Sequence, residues 1–414
     1  MRVAIVGSGI SGLTCAHLLH RRHSITLFEA DDRLGGHTNT VRVDLPDETQ
    51  HVDTGFIVHN DRNYPGFQRL LAHLGIETKP SNMSFSVSDG GGFEYNGSSP
   101  NGLFACRSHL VKPSFHRIVV DLLRFNRDAR SLVGLNGDGP SLGEFLDAGG
   151  YSRAFVERLI VPQASAVWSA DPGQMWEFPA SFLAEFFDNH GMLALRGRPQ
   201  WRSVAGGASR YVEALTAPLA DRIRLSTPVQ AIRRHRDRVE LIPESGGAES
   251  FDQVIVAAHS DQALSMLADP TDAEREVLGA IPYQPNEAVL HTDIGQLPRR
   301  RRARASWNFH LEREPASRTT VTYDMNRLQA LESDTQLCLT LNRTERIDPE
   351  RVIETIQYSH PIFTEAGVAA QQRWPEVSGV RRTHYCGAYW GFGFHEDGVA
   401  SALRVCERFG EKLR

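Results

Sequence analysis

The spacing of apolar residues changes several times along the chain, and each spacing predicts one kind of element. The chain opens on a strand-like apolar run, Arg2–Val6, and continues through a glycine-rich turn into apolar positions at helical spacing. A second apolar run, SITLFEA, follows and contains Glu29 and Ala30 at its end. This order of segments predicts a strand–helix–strand unit at the start of the chain.

The rest of the chain divides into helical and strand-like stretches. Three-to-four spacing predicts helices over much of 61–199, as in PGFQRLLAHLG, SFHRIVVDLLRFNRDARSLV and SLGEFLDAGGYSRAFVERLIVP. Alternation predicts strands in SNMSFSVS, GFEYNG, NEAVLHTDI, RTTVTYDMNRL and TQLCLTLN. IRLSTPVQAIRRH predicts a strand pair, and FDQVIVAAHSDQAL contains a buried strand. The final segment, CGAYWGFGFHEDGVASALRVCERF, predicts a glycine-rich loop and a short closing helix from about Val399.

The turn after the first strand has the glycine spacing of a dinucleotide-binding site. Its first glycine makes a tight turn, its second lets the backbone approach a pyrophosphate, and its third lets helix and strand pack closely. The N-terminus of the following helix would supply N–H groups to phosphates, and the acid after the second apolar run would bind ribose hydroxyls. The candidate cofactor-binding residues of this unit are Gly7, Gly9, Ile10, Ser11, Gly12, Glu29 and Ala30.

A second pair of glycines follows in Asp32-Arg33-Leu34-Gly35-Gly36-His37-Thr38, beside a basic side chain. With the first turn and the ribose acid, this segment resembles the flavin amine oxidase, phytoene desaturase and protoporphyrinogen oxidase superfamily. The resemblance implies a non-covalently bound FAD. That family usually has arginine at the position of His37, so one phosphate contact is weakened here. The residues that the resemblance assigns to FAD in this segment are Arg33, Gly35, Gly36, His37 and Thr38.

The resemblance also assigns cofactor contacts to two distant segments. It implies that Val229 touches the adenine through its backbone. It implies that Glu396 or Asp397 takes the ribityl or phosphate position. In the same C-terminal segment it implies backbone contacts near the cofactor from Gly387, Gly398 and Val399.

Because these segments lie far apart in the sequence, the cofactor domain must be discontinuous. We expect an α/β fold with a Rossmann-like FAD-binding domain made of 1–60, 200–280 and 375–414. It is interleaved with an α+β substrate domain made of 61–199 and 281–374. This is the two-domain architecture that the resemblance to amine oxidases implies.

Two features distinguish the chain from the amine oxidases of this superfamily. Those enzymes place a lysine of the substrate domain over flavin N5, whereas this chain has lysines only at positions 79, 112 and 412. Register puts His291 near that spot instead. Their aromatic cage includes a tyrosine where this chain has Phe394. We therefore predict a flavin oxidoreductase that is not an amine oxidase.

Three blocks of sequence are similar to bacterial FAD-dependent proteins associated with cyclopropane-fatty-acid-synthase-type methyltransferases: VDTGFIVHNDRNYPGFQRLLAHLGI, FPASFLAEFFDNHGMLAL and AYWGFGFHEDGV. The similarity implies an apolar, fatty-acyl or lipid substrate and a methyltransferase partner. We expect dehydrogenation, that is desaturation, with hydride transfer to flavin N5 while a base removes a proton. Histidine suits this role near neutral pH. The candidates are His395, His291, His59 and His190.

Three other functions stay open from the residues alone. The chain could be a flavin amine oxidase despite its two departures. It could be an isomerase or mutase that uses reduced FAD without net redox change. It could also be a non-enzymatic FAD-binding partner of a lipid-modifying methyltransferase.

Composition and charge limit the number of domains, the cellular compartment and the classes of partner that we expect. A chain of 414 residues with 41% hydrophobic content can form two or three domains, and the absence of signal or membrane-spanning patterns predicts a cytoplasmic protein. Five scattered cysteines argue against a disulfide framework or a zinc site, and a net charge of −5 argues against nucleic-acid binding. The basic run Arg299–Arg304 is either a solvated loop or an anion-docking patch that contacts a membrane surface transiently.

Overall fold

A computed structural model describes residues 1–46, 48–135, 139–194, 196–312 and 318–413. Most of the strands in these ranges are short. They are β1 (Arg2–Val6), β2 (Ser24–Phe28), β3 (Thr40–Asp44), β4 (Thr49–Asp53), β5 (His59–Asn60), β6 (Thr78–Pro80), β7 (Phe85–Ser88), β8 (Glu94–Asn96), β9 (Trp201–Val204), β10 (Ile223–Arg224), β11 (Val229–Arg234), β12 (Val239–Pro243), β13 (Glu249–Phe251), β14 (Gln253–Val256), β15 (Tyr283–His291), β16 (Trp307–His310), β17 (Val321–Asp324), β18 (Cys338–Leu341), β19 (Val352–Pro361) and β20 (Thr383–Tyr385).

The longest helices lie near the middle and at the end of the chain. The α-helices are α1 (Ile10–Leu19), α2 (Pro65–Leu74), α3 (Pro100–Leu103), α4 (Pro113–Asp128), α5 (Leu142–Ala148), α6 (Arg153–Phe155), α7 (Val161–Trp168), α8 (Ala180–Asn189), α9 (Ser209–Thr216), α10 (Ser260–Met266), α11 (Asp272–Gly279), α12 (Met325–Leu328), α13 (Glu365–Gln372), α14 (Trp374–Val377) and α15 (His395–Arg408). A 3₁₀ turn, Arg107–Val111, precedes α4.

A five-stranded parallel sheet has the order β10–β2–β1–β14–β20. Each of the three segments predicted for the FAD-binding domain supplies strands to it. The segment 1–60 gives β1 and β2, the segment 200–280 gives β10 and β14, and the segment 375–414 gives β20. Parallel strands need cover on both faces, which explains why β1 and β14 are almost wholly buried. The predicted α/β architecture is confirmed.

A second, seven-stranded sheet has the order β19–β15–β18–β17–β16–β7–β8. Its neighbouring strands are antiparallel except for the parallel pair β16–β7. The stretches SNMSFSVS and GFEYNG form β7 and β8, and the three later alternating stretches form β15, β17 and β18. Helices α4, α5, α7 and α8 lie in the stretch where helical spacing predicts them.

Two hydrophobic cores accompany the two sheets. One surrounds the parallel sheet, and the other joins the seven-stranded sheet to the helices of 61–199. The cores do not follow the predicted boundaries everywhere. Phe67 and Leu70 of α2 pack into the first core, and Val52 of β4 packs into the second. The two-domain division with its boundaries therefore stays a prediction.

The last helix begins earlier than the sequence pattern predicts. It starts at His395 and not near Val399. The carboxylate of Asp397 accepts a hydrogen bond of 2.9 Å from the backbone N–H of Phe394 and so caps the first turn. Negative side chains also suit the positive end of the helix dipole. Glu396 and Asp397 consequently belong to the first turn of α15.

The glycines of the first turn have different surroundings. A Cβ on Gly12 would lie 1.9 Å from the carbonyl oxygen of Gly7 and 3.1 Å from the Cβ of Ala257. Gly12 is therefore required for close packing of α1 against the turn and the end of β14. A Cβ on Gly9 would meet nothing within 4 Å. Folding alone does not require glycine there, so its small size matters for something that approaches the turn from outside.

We expect Gly9→Val and Gly12→Ala to fail in different ways. Gly9→Val should fold with nearly wild-type thermal stability but lose bound flavin, because its branched side chain occupies the space of the diphosphate. Gly12→Ala should lower the free energy of unfolding by about 1–3 kcal/mol or more, because its methyl group overlaps the backbone of Gly7. Thermal unfolding without added cofactor and the flavin content of the purified variants are the measurements. A Gly9→Val protein that keeps its flavin would contradict this assignment.

Candidate functional site

A cavity of about 1050 Å³ extends from the first glycine turn to the helices of 61–199. Its volume lies at the upper end of the range for ligand sites in proteins. Many of the residues predicted to bind the cofactor line it. They are Gly7, Gly9, Ile10, Ser11, Glu29, Ala30, Arg33, Gly35, Gly36, His37, Val229 and Gly387.

The nucleotide end of the cavity is built around Glu29. One oxygen of its carboxylate accepts a hydrogen bond of 2.7 Å from the N–H of Ser8, and the Ser8 hydroxyl also donates to it. The other oxygen accepts from the N–H of Asp31 at 3.0 Å. These bonds fix the carboxylate at the carboxyl end of β2, beside the N-terminus of α1. A ribose acceptor and a phosphate-binding helix end thus lie in one cavity, and they fit the two halves of a dinucleotide.

The second glycine pair lies directly against the first turn. A Cβ on Gly36 would be 3.3 Å from the Cα of Gly9, so the two backbones almost touch. Arg33 donates to the carbonyl of Thr38 at 3.4 Å and also lines the cavity. The space left open by Gly9 is therefore bordered by a second stretch of backbone with a cation beside it. These features fit the diphosphate of FAD.

Three histidines form a cluster at this part of the wall, which we call the histidine cluster: His37, His259 and His360. The ring centroid of His37 lies 5.3 Å from that of His360 and 5.9 Å from that of His259, and it stacks on Tyr358 at 5.0 Å. Burial, with the neighbouring histidines, holds the pKa of His37 well below its ordinary value. Burial also lowers the pKa of His360 to about 4 and lowers that of His259.

Sequence reasoning found His37 but missed the other two members of the cluster. His259 follows the predicted strand of FDQVIVAAHS, and residues just beyond the carboxyl ends of parallel strands are where ligands bind in such sheets. The position of His259 just beyond this strand could therefore have identified it as a site residue. His360 lies near the end of β19, and nothing in its local sequence marks it.

The C-terminal acids form hydrogen bonds with backbone groups of the protein itself. The carboxylate of Glu396 accepts hydrogen bonds of 2.8 Å from the N–H groups of Gly66 and Phe67, at the N-terminus of α2. Asp397 caps its own helix, and burial raises its pKa to about 7. Neither carboxylate lines the cavity, and both are engaged by backbone N–H groups at helix N-termini. The assignment of Glu396 or Asp397 to the ribityl or phosphate position is therefore not supported.

Four other predicted cofactor residues lie behind the wall. Gly398 accepts a hydrogen bond of 2.9 Å from the hydroxyl of Ser11, which joins α15 to α1. None of these four residues lines the cavity. They are Gly12, Thr38, Gly398 and Val399.

His395 lines the cavity and is held on several sides. Its ring stacks on Phe56 at 3.5 Å between centroids. Its Nε2 lies 3.0 Å from the hydroxyl of Thr38 and 2.9 Å from that of Tyr211. Burial lowers its pKa to about 3, so the ring is neutral at physiological pH.

The other predicted catalytic histidines differ in their access to the cavity. His190 lines it and stacks on Phe186 at 3.9 Å, and burial lowers its pKa to about 4. His59 is buried beside Phe67 and does not line the cavity. His291 is buried within the seven-stranded sheet and lies 2.7 Å from the hydroxyl of Thr340. The prediction that register brings His291 to the flavin position is therefore not supported.

The half of the cavity beyond the histidines is mainly apolar. Phe394, at the position of the amine oxidase tyrosine, lines it and stacks on Phe186 at 5.0 Å. Among the described lining residues there is no lysine, and the carboxylates are Glu29 and Asp31 at the nucleotide end. Helices α4, α7 and α8 and the segments next to them supply Leu122, Phe125, Leu159, Ile160, Val167, Trp168, Phe186 and Phe187.

Two kinds of feature are absent from the described ranges. No helix in them has the length and apolar character needed to cross a membrane. The side chains described there also form no group of three or more His, Cys, Asp or Glu residues that could hold a metal ion.

The chain is similar to curated and solved proteins. It is 26% identical over 318 residues to an L-amino-acid oxidase of Siganus canaliculatus, a match that covers 70% of this chain but only 56% of that protein. The fold matches cyclohexylamine oxidase from Brevibacterium oxydans IH-35A, with a TM-score of 0.70, 16% identity and 99% of each chain covered. It also matches a CLA-producing fatty acid isomerase from P. acnes, with a TM-score of 0.70 and 16% identity over 99% of this chain and 98% of that one.

The strongest assignment comes from the family comparison. The profile of the family "Flavin containing amine oxidoreductase" matches residues 10–301, which is well over half of the chain. The match agrees with a cavity whose glycine turns, ribose acid and open diphosphate space fit FAD. The chain therefore belongs to the flavin containing amine oxidoreductase family, and its cofactor is FAD.

Proposed function

We propose that this protein is an FAD-dependent oxidoreductase that dehydrogenates an apolar substrate carrying an acyl chain. The observation that supports this most is the apolar half of the cavity, which is continuous with the nucleotide end. A substrate held there by hydrophobic contacts needs few polar groups to orient it. Contact with a lipid-modifying methyltransferase fits the same substrate class and belongs to the same proposal.

The lining also argues against small cationic amines. Among the described lining residues, the carboxylates lie at the nucleotide end, so an ammonium group in the apolar half would lack a counter-charge. Burying a charge without a partner is costly. Burying an uncharged acyl chain carries no such cost, and aromatic side chains such as Trp168 and Phe186 would exclude water around it.

We assign the residues of the cavity to three tasks. The glycine turns, Glu29 and Arg33 hold the cofactor, and the aromatic residues hold the substrate. When bound, FAD supplies a ring that accepts a hydride. His395 is our candidate for the group that positions a proton, because it reaches the cavity and its neutral ring has one hydrogen-bond donor and one acceptor.

The histidine cluster suggests how this chain replaces the arginine usual in its family. Without FAD, His37 is neutral, mainly because burial disfavours its charged form. The positive charges that neighbouring side chains carry or can gain act in the same direction; these side chains are His360, His259, His395 and Arg33. The nearby Asp261 acts to raise the pKa of His259, against the larger lowering that burial causes. A diphosphate beside the cluster would favour protonation, so His37 would gain a proton as FAD binds. By linkage, the affinity for FAD should then rise as the pH falls.

The first test concerns the substrate class. Anaerobic mixing with a long-chain fatty acid such as oleate, or with its phospholipid ester in micelles, should bleach the flavin and yield a dehydrogenated product. Benzylamine and putrescine should leave the flavin oxidised, because the apolar half lacks a counter-charge for them. Stopped-flow absorbance and mass spectrometry are the measurements. Rapid bleaching by amines would reject the proposal, and lipid turnover only after pre-reduction of the flavin would identify an isomerase.

The second test concerns His395. We expect His395→Asn to slow flavin reduction by about a hundredfold or more while leaving most of the FAD bound, because the change removes a group at the reacting centre and no cofactor anchor. His291→Asn is the control, since that histidine is also buried but lies outside the cavity. It should alter thermal stability without altering the reduction rate. Equal effects of the two variants on reduction would reject a role for His395.

The third test concerns proton uptake. Calorimetric titration of the apoprotein with FAD, in buffers of different ionisation enthalpy, should show net proton uptake and tighter binding at about pH 6 than at about pH 8. His37→Arg should bind FAD more tightly at the higher pH and with less proton uptake, because its charge is permanent. His235→Asn, at an exposed site, should behave as the wild type. Unchanged proton uptake in His37→Arg would contradict the assignment.

A further inference from the structure

One surface of the protein exposes large apolar side chains next to arginine and lysine. It comprises residues 107–127, which form the 3₁₀ turn and most of α4, and we call it the 107–127 surface. Leu110 is 51% exposed and Val111 is 81% exposed, and Val120 and Leu123 are each 49% exposed. Four large apolar side chains this exposed within 14 residues are unusual for a surface that faces only water.

The charges on this surface are almost all positive. Between 101 and 127 the sequence has a single acidic residue, Asp121, and it is fully buried in bonds to Arg117 and Arg124. Arg127 is paired with Asp128, outside the range. Exposed cations without an ion pair in the structure include Arg107 and Lys112.

The basic run Arg299–Arg304, which we call the basic loop, continues this surface. Arg300 lines a shallow cleft together with Lys112 and Arg158, so the loop meets the 3₁₀ turn there. Asp89 is the acid in that cleft, and its carboxylate is engaged by three backbone N–H groups of its own loop. The buried Glu94 holds the loop by accepting from the backbone of Arg299 and Arg300.

Four arginines of the basic loop are exposed, and one of them, Arg300, pairs with Glu94. The other three, Arg299, Arg301 and Arg302, form no ion pair with the described residues. They add positive charge next to the 107–127 surface, which the loop meets where Arg300 and Lys112 line the same cleft. That combination matches the interface of an anionic bilayer, where apolar groups enter the acyl boundary and cations meet the headgroups.

The same helix connects this surface to the cavity. Leu122 and Phe125 of α4 line the apolar half of the cavity, whereas Val120 and Leu123 point to solvent. The exposed face and the cavity wall are therefore two sides of one helix, about 10 Å across.

We propose that the 107–127 surface and the exposed arginines of the basic loop dock the protein on an anionic lipid bilayer, with Leu110 and Val111 inserted at the interface. The proposal stands on exposure and charge and does not require the redox chemistry proposed above. It gives the apolar cavity a position next to a source of acyl chains.

Vesicle sedimentation of the FAD-loaded protein tests the proposal directly. Binding should be strong to phosphatidylcholine vesicles that contain phosphatidylglycerol, weak to phosphatidylcholine alone, and reduced by added salt. Leu110→Glu with Val111→Glu should abolish most of the binding. The matched control, Ile353→Glu with Val380→Glu, adds the same charges at exposed apolar residues elsewhere and should leave binding largely intact.

A second pair of variants separates charge from apolar contact. Arg301→Ser with Arg302→Ser should weaken binding to anionic vesicles by about thirtyfold, whereas Arg21→Ser with Arg236→Ser removes the same charge elsewhere and should have little effect. Flavin content and thermal unfolding verify that each variant is folded. Failure of the wild type to bind, equal binding to neutral vesicles, or equal losses in variants and controls would each overturn the proposal. None of these results depends on whether a lipid is oxidised.

Discussion

The close contact between the first glycine turn and the elements around it is the constraint on which the cavity depends. Gly12 brings α1 against the carbonyl of Gly7 and against Ala257 at the end of β14. The hydroxyl of Ser11 then ties α1 to Gly398 of α15. Three segments that are distant in the sequence thus meet around one helix. Their meeting aligns the N-terminus of α1 with Glu29 and leaves the space at Gly9 open.

Buried histidines with lowered pKa values lie along much of the rest of the wall. His37, His360, His190 and His395 all have pKa values far below the ordinary value because they have little access to water. In the absence of FAD, neutral imidazoles can line this cavity without the desolvation cost that imidazolium ions would carry. The same dryness favours an apolar occupant in the inner half. The electrostatics of the wall and the chemistry of the proposed substrate are therefore consistent.

The parts of the site that the sequence predicted are those set by local geometry. The glycine turns, Glu29 and Arg33 line the cavity because their roles depend on short spacings in and just after one strand–turn–helix unit. The roles of Glu396 and His360 depend on partners elsewhere in the fold. Glu396 bonds to a helix that begins 331 residues earlier, at Pro65, and His360 joins its cluster only through the pairing of the second sheet. No local pattern encodes such contacts.

The position of β1 in its sheet has a consequence for how the protein is made. Its partner on one side, β2, follows within about 20 residues, but on the other side Val3 pairs with Gln253. At ordinary rates of synthesis the second partner emerges roughly 12–50 s after the first. During that time β1, which is buried in the folded protein, has one unpaired edge, and other strands could pair with it wrongly. High contact order of this kind slows folding, so the nascent chain should depend on chaperones to protect that edge.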